Sequence, residues 1–315
     1  MSRVVPPVTL TAVALLFGAC RPEIDDDASR VEGPRILAVR AEPAEARVNE
    51  KVVLTALYTD GSKAVADAPL GWSFCNARKA LAEPDPIDPG CLSGSAARAL
   101  GAGGSVPTTV PRDACRAFGP DRPLGKPGEP AGRPADPDST GGFFQPGVVG
   151  GAGASPALFE VRVRCTLPSV PQQVSLDFEQ RYRANANPEI AAVARVSGAT
   201  VEAVGDDGLR AARGETIRLR VSWPDCVGDA PCGGAERYVS YDPSTRALVD
   251  RRESIAVSWL TTSGSFVAPR TGRSETDTTT SVENDWVAAG AGSIFIVVRD
   301  ARGGVTFRTI PVQIR

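Results

Sequence analysis

In segment after segment of this 315-residue chain, every second residue is apolar. In FEVRVRC, Phe159, Val161, Val163 and Cys165 alternate with Glu160, Arg162 and Arg164. TIRLRVSW sets Ile217, Leu219, Val221 and Trp223 against Arg218 and Arg220, and KVVLTALY puts Val52, Leu54, Ala56 and Tyr58 on one face. Successive side chains of a strand point to opposite faces, so each segment buries one side and wets the other. No helical period of comparable strength competes with this pattern. IFIVVRDARGGVTFRTIPVQI reads as two strands joined by a turn at 300–304, where glycines supply the positive φ of a tight hairpin. The alternation predicts an all-β chain of half-buried antiparallel strands.

The strands come in two similar sets. ARVNEKVVLTALYTD from Ala46 parallels AARGETIRLRVSWPD from Ala211, with Asn49-Glu50 standing where Gly214-Glu215 stands. ILAV from Ile36 parallels IAAV from Ile190, and LGWSFC around Trp72 parallels VSWLTT around Trp259. Each set runs strand, turn, strand, Trp-bearing strand, long connection and final strands. That order predicts two tandem immunoglobulin-like antiparallel β-sandwiches, with Trp72 and Trp259 packed between the sheets. The expected domains are 35–183 and 184–315, bridged by RANANPEI, which Pro188 stiffens. In the first, residues 76–157 are rich in Pro, Gly and Ala and read as a long insert. Its middle strands are expected near SVPTTV and GGFFQPGVV, and its remainder as surface loop.

Composition narrows the chemistry. There is no histidine, which removes Ser-His-Asp and Cys-His catalysis and the commonest zinc ligand. Net charge is −2 with no concentrated basic patch, so no nucleic-acid partner is expected. None of Lys51, Lys63, Lys79 and Lys126 completes a Ser-x-x-Lys signature, and no Gly-x-Ser-x-Gly or phosphate-cradling loop appears. Asp136 and Asp138 share a Gly-rich loop but lack EF-hand spacing, so they read as a polar turn and no metal or cofactor is expected. SETDTTTSVEND from Ser274 reads as a solvated connection, and Phe143 and Phe144 as core. No catalytic residue is assigned.

The amino terminus carries the sharpest signal of location. Residues 4–19 are apolar but contain Pro6 and Pro7, and they are too short for a span of about 20 apolar residues. After Arg3 they form the apolar core of a secretory signal, 1–19. Gly18-Ala19-Cys20 resembles the lipobox of bacterial lipoproteins, in which the cysteine becomes the lipid-bearing amino terminus; Phe17 departs from that family's preferred leucine. The resemblance implies diacylglycerol and fatty-acyl (palmitate) attachment at Cys20. An ordinary secreted protein cut nearby is the alternative. Residues 20–34, with Asp25, Asp26 and Asp27, read as an acidic disordered tether.

The chain has seven cysteines, awkwardly odd for an exported protein. With Cys20 lipidated, six remain for three disulfides in an oxidising compartment. Cys226 and Cys232 flank a short turn and are expected to pair. Cys75 and Cys165 are expected at opposite poles of neighbouring antiparallel strands, too far apart for a disulfide. This favours Cys75–Cys91 with Cys115–Cys165; Cys75–Cys115 with Cys91–Cys165 stays open.

PRILAVRAEPAEARVNEKVVLTALYTDG, WSFC, TGGFFQP, RYRANANP and VVRDARGGV, in this order, resemble a group of uncharacterised envelope lipoproteins of myxobacterial type. The resemblance implies a signal, a lipid anchor and immunoglobulin-like modules in the cell envelope, and it carries no activity; the membrane expected to hold Cys20 is the outer one. The expected function is therefore a membrane-anchored, non-enzymatic lipoprotein, held in lipid through Cys20 and presenting its sandwiches for a structural role or for interaction with a protein or glycan. The alternative is a histidine-free, carboxylate-dependent hydrolase or polysaccharide-processing accessory protein, with its acids in the 76–157 insert.

Overall fold

A computed structural model describes residues 28–78, 87–120, 139–228 and 231–315. The first sandwich contains β1 (Arg35–Glu42), β2 (Glu45–Arg47), β3 (Lys51–Thr59), β4 (Leu70–Cys75), the short helix α1 (Pro89–Ser93), β5 (Ala97–Ala102) and β6 (Ser105–Thr109). The short helix α2 (Ala114–Phe118) precedes the long hairpin of β7 (Gly142–Gly151) and β8 (Ala154–Arg164). Its sheets are ordered β1-β3-β6 and β2-β8-β7-β4-β5.

Helix α3 (Gln172–Arg181) leads to the second sandwich. This opens with β9 (Ala192–Ser197), β10 (Thr200–Ala203), β11 (Leu209–Ala211) and β12 (Thr216–Ser222), followed by a separate hairpin, β13 (Arg237–Asp242) and β14 (Ala247–Arg252). It continues with β15 (Ile255–Thr261), β16 (Ser265–Phe266), β17 (Arg270–Arg273), β18 (Ser281–Val287), β19 (Gly292–Asp300) and β20 (Val305–Ile314). The sheets here are β10-β9-β12-β18-β16 and β11-β20-β19-β15-β17.

The two sandwiches follow one immunoglobulin-like plan. In each, the first strand pairs antiparallel with the second long strand, β1 with β3 and β9 with β12. The chain then changes sheets and pairs in parallel with the last strand, β2 with β8 and β11 with β20. The repeated turn between them is matched bond for bond. Asn49 and Gly214 both adopt positive φ, at 66° and 79°. The Glu50 carboxylate accepts from the Arg47 N–H at 2.8 Å, and that of Glu215 from the Ala212 N–H at 2.7 Å. The Asn49 and Gly214 N–H groups donate to the carbonyls of Val110 and Ala288. Asn tolerates this left-handed backbone better than most residues, so Asn-Glu serves where Gly-Glu serves in the other copy.

Alternation produces the cores as expected. Ile217, Leu219 and Val221 of β12 are buried, while Arg218 and Arg220 face solvent and pair across the sheet with Asp285 and Glu283 of β18. Trp72 packs edge-on against Phe159, and Trp259 packs at a tilt against Phe266; both tryptophans are enclosed, with Trp72 Nε1 donating to the Gly103 carbonyl and Trp259 Nε1 to Thr271 Oγ1. Phe143 is core, whereas Phe144 is half-buried where the two sandwiches meet.

Three expectations need correction. The 76–157 segment supplies β6 and β7 at SVPTTV and GGFFQPGVV, where middle strands were expected, but its remainder is not loop alone: it also supplies β5, the start of β8 and two short helices. Its Gly and Pro content masked strands whose pairing comes from long-range neighbours. Helix α3 was not anticipated, because of its apolar residues only Phe178 is buried, too few for a visible helical period. The end of the expected tether is not free. Val31 N–H donates to the Thr261 carbonyl and Thr261 N–H to the Ser29 carbonyl, both at 2.8 Å, and Val31 is 1% exposed. Residues 29–31 thus form a strap along β15 of the second sandwich.

Candidate functional site

The sandwiches lie side by side rather than end to end. β19 carries Ile294, Ile296 and Val298 into its own core and turns Phe295 and Val297 outward, against Ala38 and Leu57 of the first sandwich. At one pole of this seam the Ser62 carbonyl accepts from Ser293 Oγ at 3.1 Å, close to the strap on Thr261. At the other pole the linker enters a network of buried charges.

Arg162 Nε donates to the Glu45 carboxylate at 2.8 Å, and both side chains are almost wholly enclosed. Tyr182 donates its hydroxyl to the same carboxylate. Burial first, and then the Glu45 charge, push the Tyr182 phenol up. Across the seam, Arg302 bonds Glu253 at 2.6 Å and Glu236 at 3.1 Å, stacks over Tyr238 and donates to the Arg183 carbonyl. Asn187 completes the joint, donating to the Ala41 carbonyl and accepting from the Val305 N–H. Burial, reinforced by nearby Asp300, pushes the Glu253 carboxyl up to about 8; burial also raises Asp300. RYRANANP is therefore the hub of a buried, hydrogen-bonded joint. Sequence reasoning placed Arg162 on a solvent face, and the second sandwich covers that face.

The β13–β14 hairpin stands at this same pole, since Glu236 and Glu253 flank it. Val239, Tyr241 and Leu248 pack on Leu167, Phe178 and Tyr182 around α3. The Tyr241 N–H also donates to the Ser139 carbonyl at 2.7 Å. Two clefts border the hairpin, of about 350 Å³ on the α3 side and about 520 Å³ on the side of residues 275–278. Arg237 lines both. A third, more apolar cleft of about 340 Å³ opens where β1 and β8 part beside Arg299 and Val305.

The cysteines pair as Cys75–Cys91, Cys115–Cys165 and Cys226–Cys232, with Cα separations of 5.2, 5.7 and 5.6 Å. The geometric reason offered for the first two was wrong. Cys165 follows β8, which lies two strands from β4 and runs in the same direction, with β7 between them. The intervening strand keeps Cys75 and Cys165 apart. Residues 1–19, Cys20, Asp25–Asp27, Asp136 and Asp138 lie outside the described residues. Among the described residues no cluster suits a metal ion, and no helix is long and apolar enough to cross a membrane. Two acids of the 76–157 segment have local roles: Asp88 caps α1, accepting from the Gly90 N–H at 2.8 Å, and Asp113 pairs with Arg116.

Solved structures similar to this chain include the D0-D1 domain of intimin, at 12% identity over 88% of this chain and 98% of that one, with a TM-score of 0.22. The Yersinia pseudotuberculosis adhesin InvE is similar at 9% identity over 87% of this chain and 58% of that one, with a TM-score of 0.23. Domains 4 and 5 of the S-layer protein SbsC match at 14% identity over 54% and 65%, with a TM-score of 0.19. Superpositions this loose carry no functional argument, and the sandwich assignment rests on the strand pairing itself. The chain matches no family model, and no curated protein matches it.

Proposed function

We propose that the protein is a non-enzymatic envelope lipoprotein, anchored in the outer membrane through acylated Cys20, whose paired sandwiches form a rigid interaction module. The observation that supports this reading is one of placement. The strap at 29–31, shortly after Cys20, is fixed at one pole of the seam, and the β13–β14 hairpin stands at the other. An anchored chain would therefore hold the hairpin away from the lipid. Of the acids with raised pKa values, Glu253 and Asp300 are held by Arg302 and Asn185 within the joint, which accounts for them without a substrate, and Glu160, raised by burial, is the one such acid lining the cleft beside Arg299 among the described residues. Two or more acyl chains make such an anchor stable, at about 0.8 kcal/mol per buried CH₂.

The test is the Cys20→Ala variant expressed in a lipoprotein-processing host. The expected result is loss of radiolabelled palmitate and release from membranes, or accumulation of uncleaved precursor. A Cys20→Ala protein that is cleaved normally and stays with membranes to the same extent rules out the anchor.

A further inference from the structure

We propose that the pole opposite the strap binds an anionic glycan, in the cleft between α3 and the β13–β14 hairpin. The proposal deepens the interaction-module reading and rests on it. Among the described residues the cleft is lined by Gln180, Arg181, Arg183, Arg237, Tyr238 and Asp250, along with Val239. Its volume of about 350 Å³ is at the lower end for small-ligand sites, the scale of a sugar unit.

The hairpin itself gives the sign of the ligand. Arg237 sits directly opposite Arg252 in the register. Like charges facing each other across a strand pair are destabilising. Arg252 has an outlet, donating to the Asp277 carbonyl at 2.5 Å. Arg237 is exposed and makes no ion pair or side-chain hydrogen bond among the described residues. The carboxylate in the cleft, Asp250, is already held by Arg181 at 2.7 Å. A bound anion offsets the repulsion, and the planar guanidinium fork suits a carboxylate or phosphate.

The lining favours a glycan over an acidic protein. Protein partners are held mainly by buried aromatic and apolar anchors. Here the walls are arginines, a glutamine and a carboxylate, with Val239 as their aliphatic member and Tyr238 as their aromatic one, whose ring is already stacked under Arg302. The second cleft, which shares Arg237, continues with Arg251, Arg252, Thr276 and Thr278; its acids are already engaged, Glu275 by Arg251, Asp242 by Ser244 and Thr245, and Asp250 by Arg181. A linear, hydroxyl-rich polymer passing over Arg237 would meet hydrogen-bonding groups on both sides of the hairpin.

The test titrates the full chain, in detergent, with polygalacturonate, phosphomannan, dextran and poly-glutamate. Binding of polygalacturonate or phosphomannan but not dextran is expected, weakening as salt rises, and the first two probes distinguish carboxylate from phosphate. Arg237→Ala should weaken it about tenfold or more, and Arg237→Glu should abolish it. Both variants should keep or raise Tm, because the Arg252 repulsion is relieved; Arg246→Ala, at the hairpin tip and outside both cleft linings, should bind normally. Absence of binding to both anionic glycans, or equal binding by Arg237→Glu, overturns the proposal. Equal affinity for poly-glutamate overturns it in favour of an acidic protein. Failure here with Cys20-dependent anchoring intact removes only the glycan, not the anchored-module reading.

Discussion

β7 and β19 hold equivalent places in the two sandwiches, each paired between the Trp-bearing strand and the last strand. Yet β7 alternates, with Phe143, Gln145 and Val149 buried and Phe144, Pro146 and Val148 half-buried, while β19 is buried without interruption from Ser293 to Val298. The difference is the neighbour. The outer face of β19 is covered by the β1-β3-β6 sheet, and a strand covered on both sides has no reason to alternate. The sandwiches also place their extra chain differently. The first carries it after β4 and after β6, tied down by Cys75–Cys91 and Cys115–Cys165. The second carries it as the hairpin between β12 and β15. Both insertions carry disulfides, Cys226–Cys232 closing the approach to the hairpin, and the hairpin in addition packs on Leu167, Phe178 and Tyr182 around α3.

The sharpest way to break this comparison is to remove the same residue type from the seam and from a solvent face. Arg302→Met leaves the Glu236 carboxylate enclosed without its cation and Glu253 without its hydrogen-bond donor, and should destabilise by about 3–5 kcal/mol. Arg220→Met removes an exposed pair with Glu283 and should change stability by less than about 1 kcal/mol. Urea unfolding followed by tryptophan fluorescence measures both. Equal effects would show that the buried network does not hold the joint.

A second cut is apolar. Phe295→Ala removes the outward ring of β19 and should destabilise by about 3 kcal/mol. Because the ring packs on residues of the other sandwich, calorimetry should show one transition in the parent chain and two in the variant. A single, merely shifted transition would mean that the strap and the charge network couple the sandwiches without it.

The fold was legible where a single face is buried. FEVRVRC and TIRLRVSW announced their strands, and the repeated Asn-Glu and Gly-Glu turns announced the second copy of the plan. The seam was much less so. IFIVV is a continuous apolar run, which fits a strand covered on both faces, but a run of that length does not say which neighbour covers it. Glu45, Arg162, Glu236, Glu253 and Arg302 look like ordinary surface charges, because their partners lie far away in sequence. Residues 29–31 are polar enough to read as tether, and only the β15 backbone gives them a place. The β13–β14 hairpin has short, weakly alternating strands, and its Arg237–Arg252 opposition exists only once the register is known.

The charged joint also predicts a pH dependence. The Glu253 carboxyl is held up to about 8 by burial and by Asp300, against an ordinary value near 4.3 in the unfolded chain. The folded state therefore keeps a proton that the unfolded chain gives up, and its contribution to stability is full below about pH 4.3 and is lost as pH rises through 8. Asp300 acts in the same direction. Tm should fall between pH 5 and pH 9, by the equivalent of roughly 2 kcal/mol or more at constant ionic strength. Glu253→Gln, which keeps an acceptor for Arg302, should flatten that slope. An unchanged slope in this variant would place the dependence elsewhere.

The smallest effect tests the repeat itself. Glu50 and Glu215 each close their turn by accepting an N–H three residues earlier, and Glu215 is also held by Arg195. The backbone bond from Ala212 is the main cause that holds the Glu215 carboxyl below its ordinary range. Replacing either glutamate with alanine should destabilise by about 1 kcal/mol, with Glu215 somewhat the larger. Lowering the pH should reduce the Glu215 difference: a depressed folded pKa gives stability above the unfolded value near 4.3, which is lost as pH falls through the folded one. Chemical denaturation of the two variants at pH 7 and pH 3 measures it. A Glu50→Ala effect several times that of Glu215→Ala would mean that the two turns share geometry without sharing energetics.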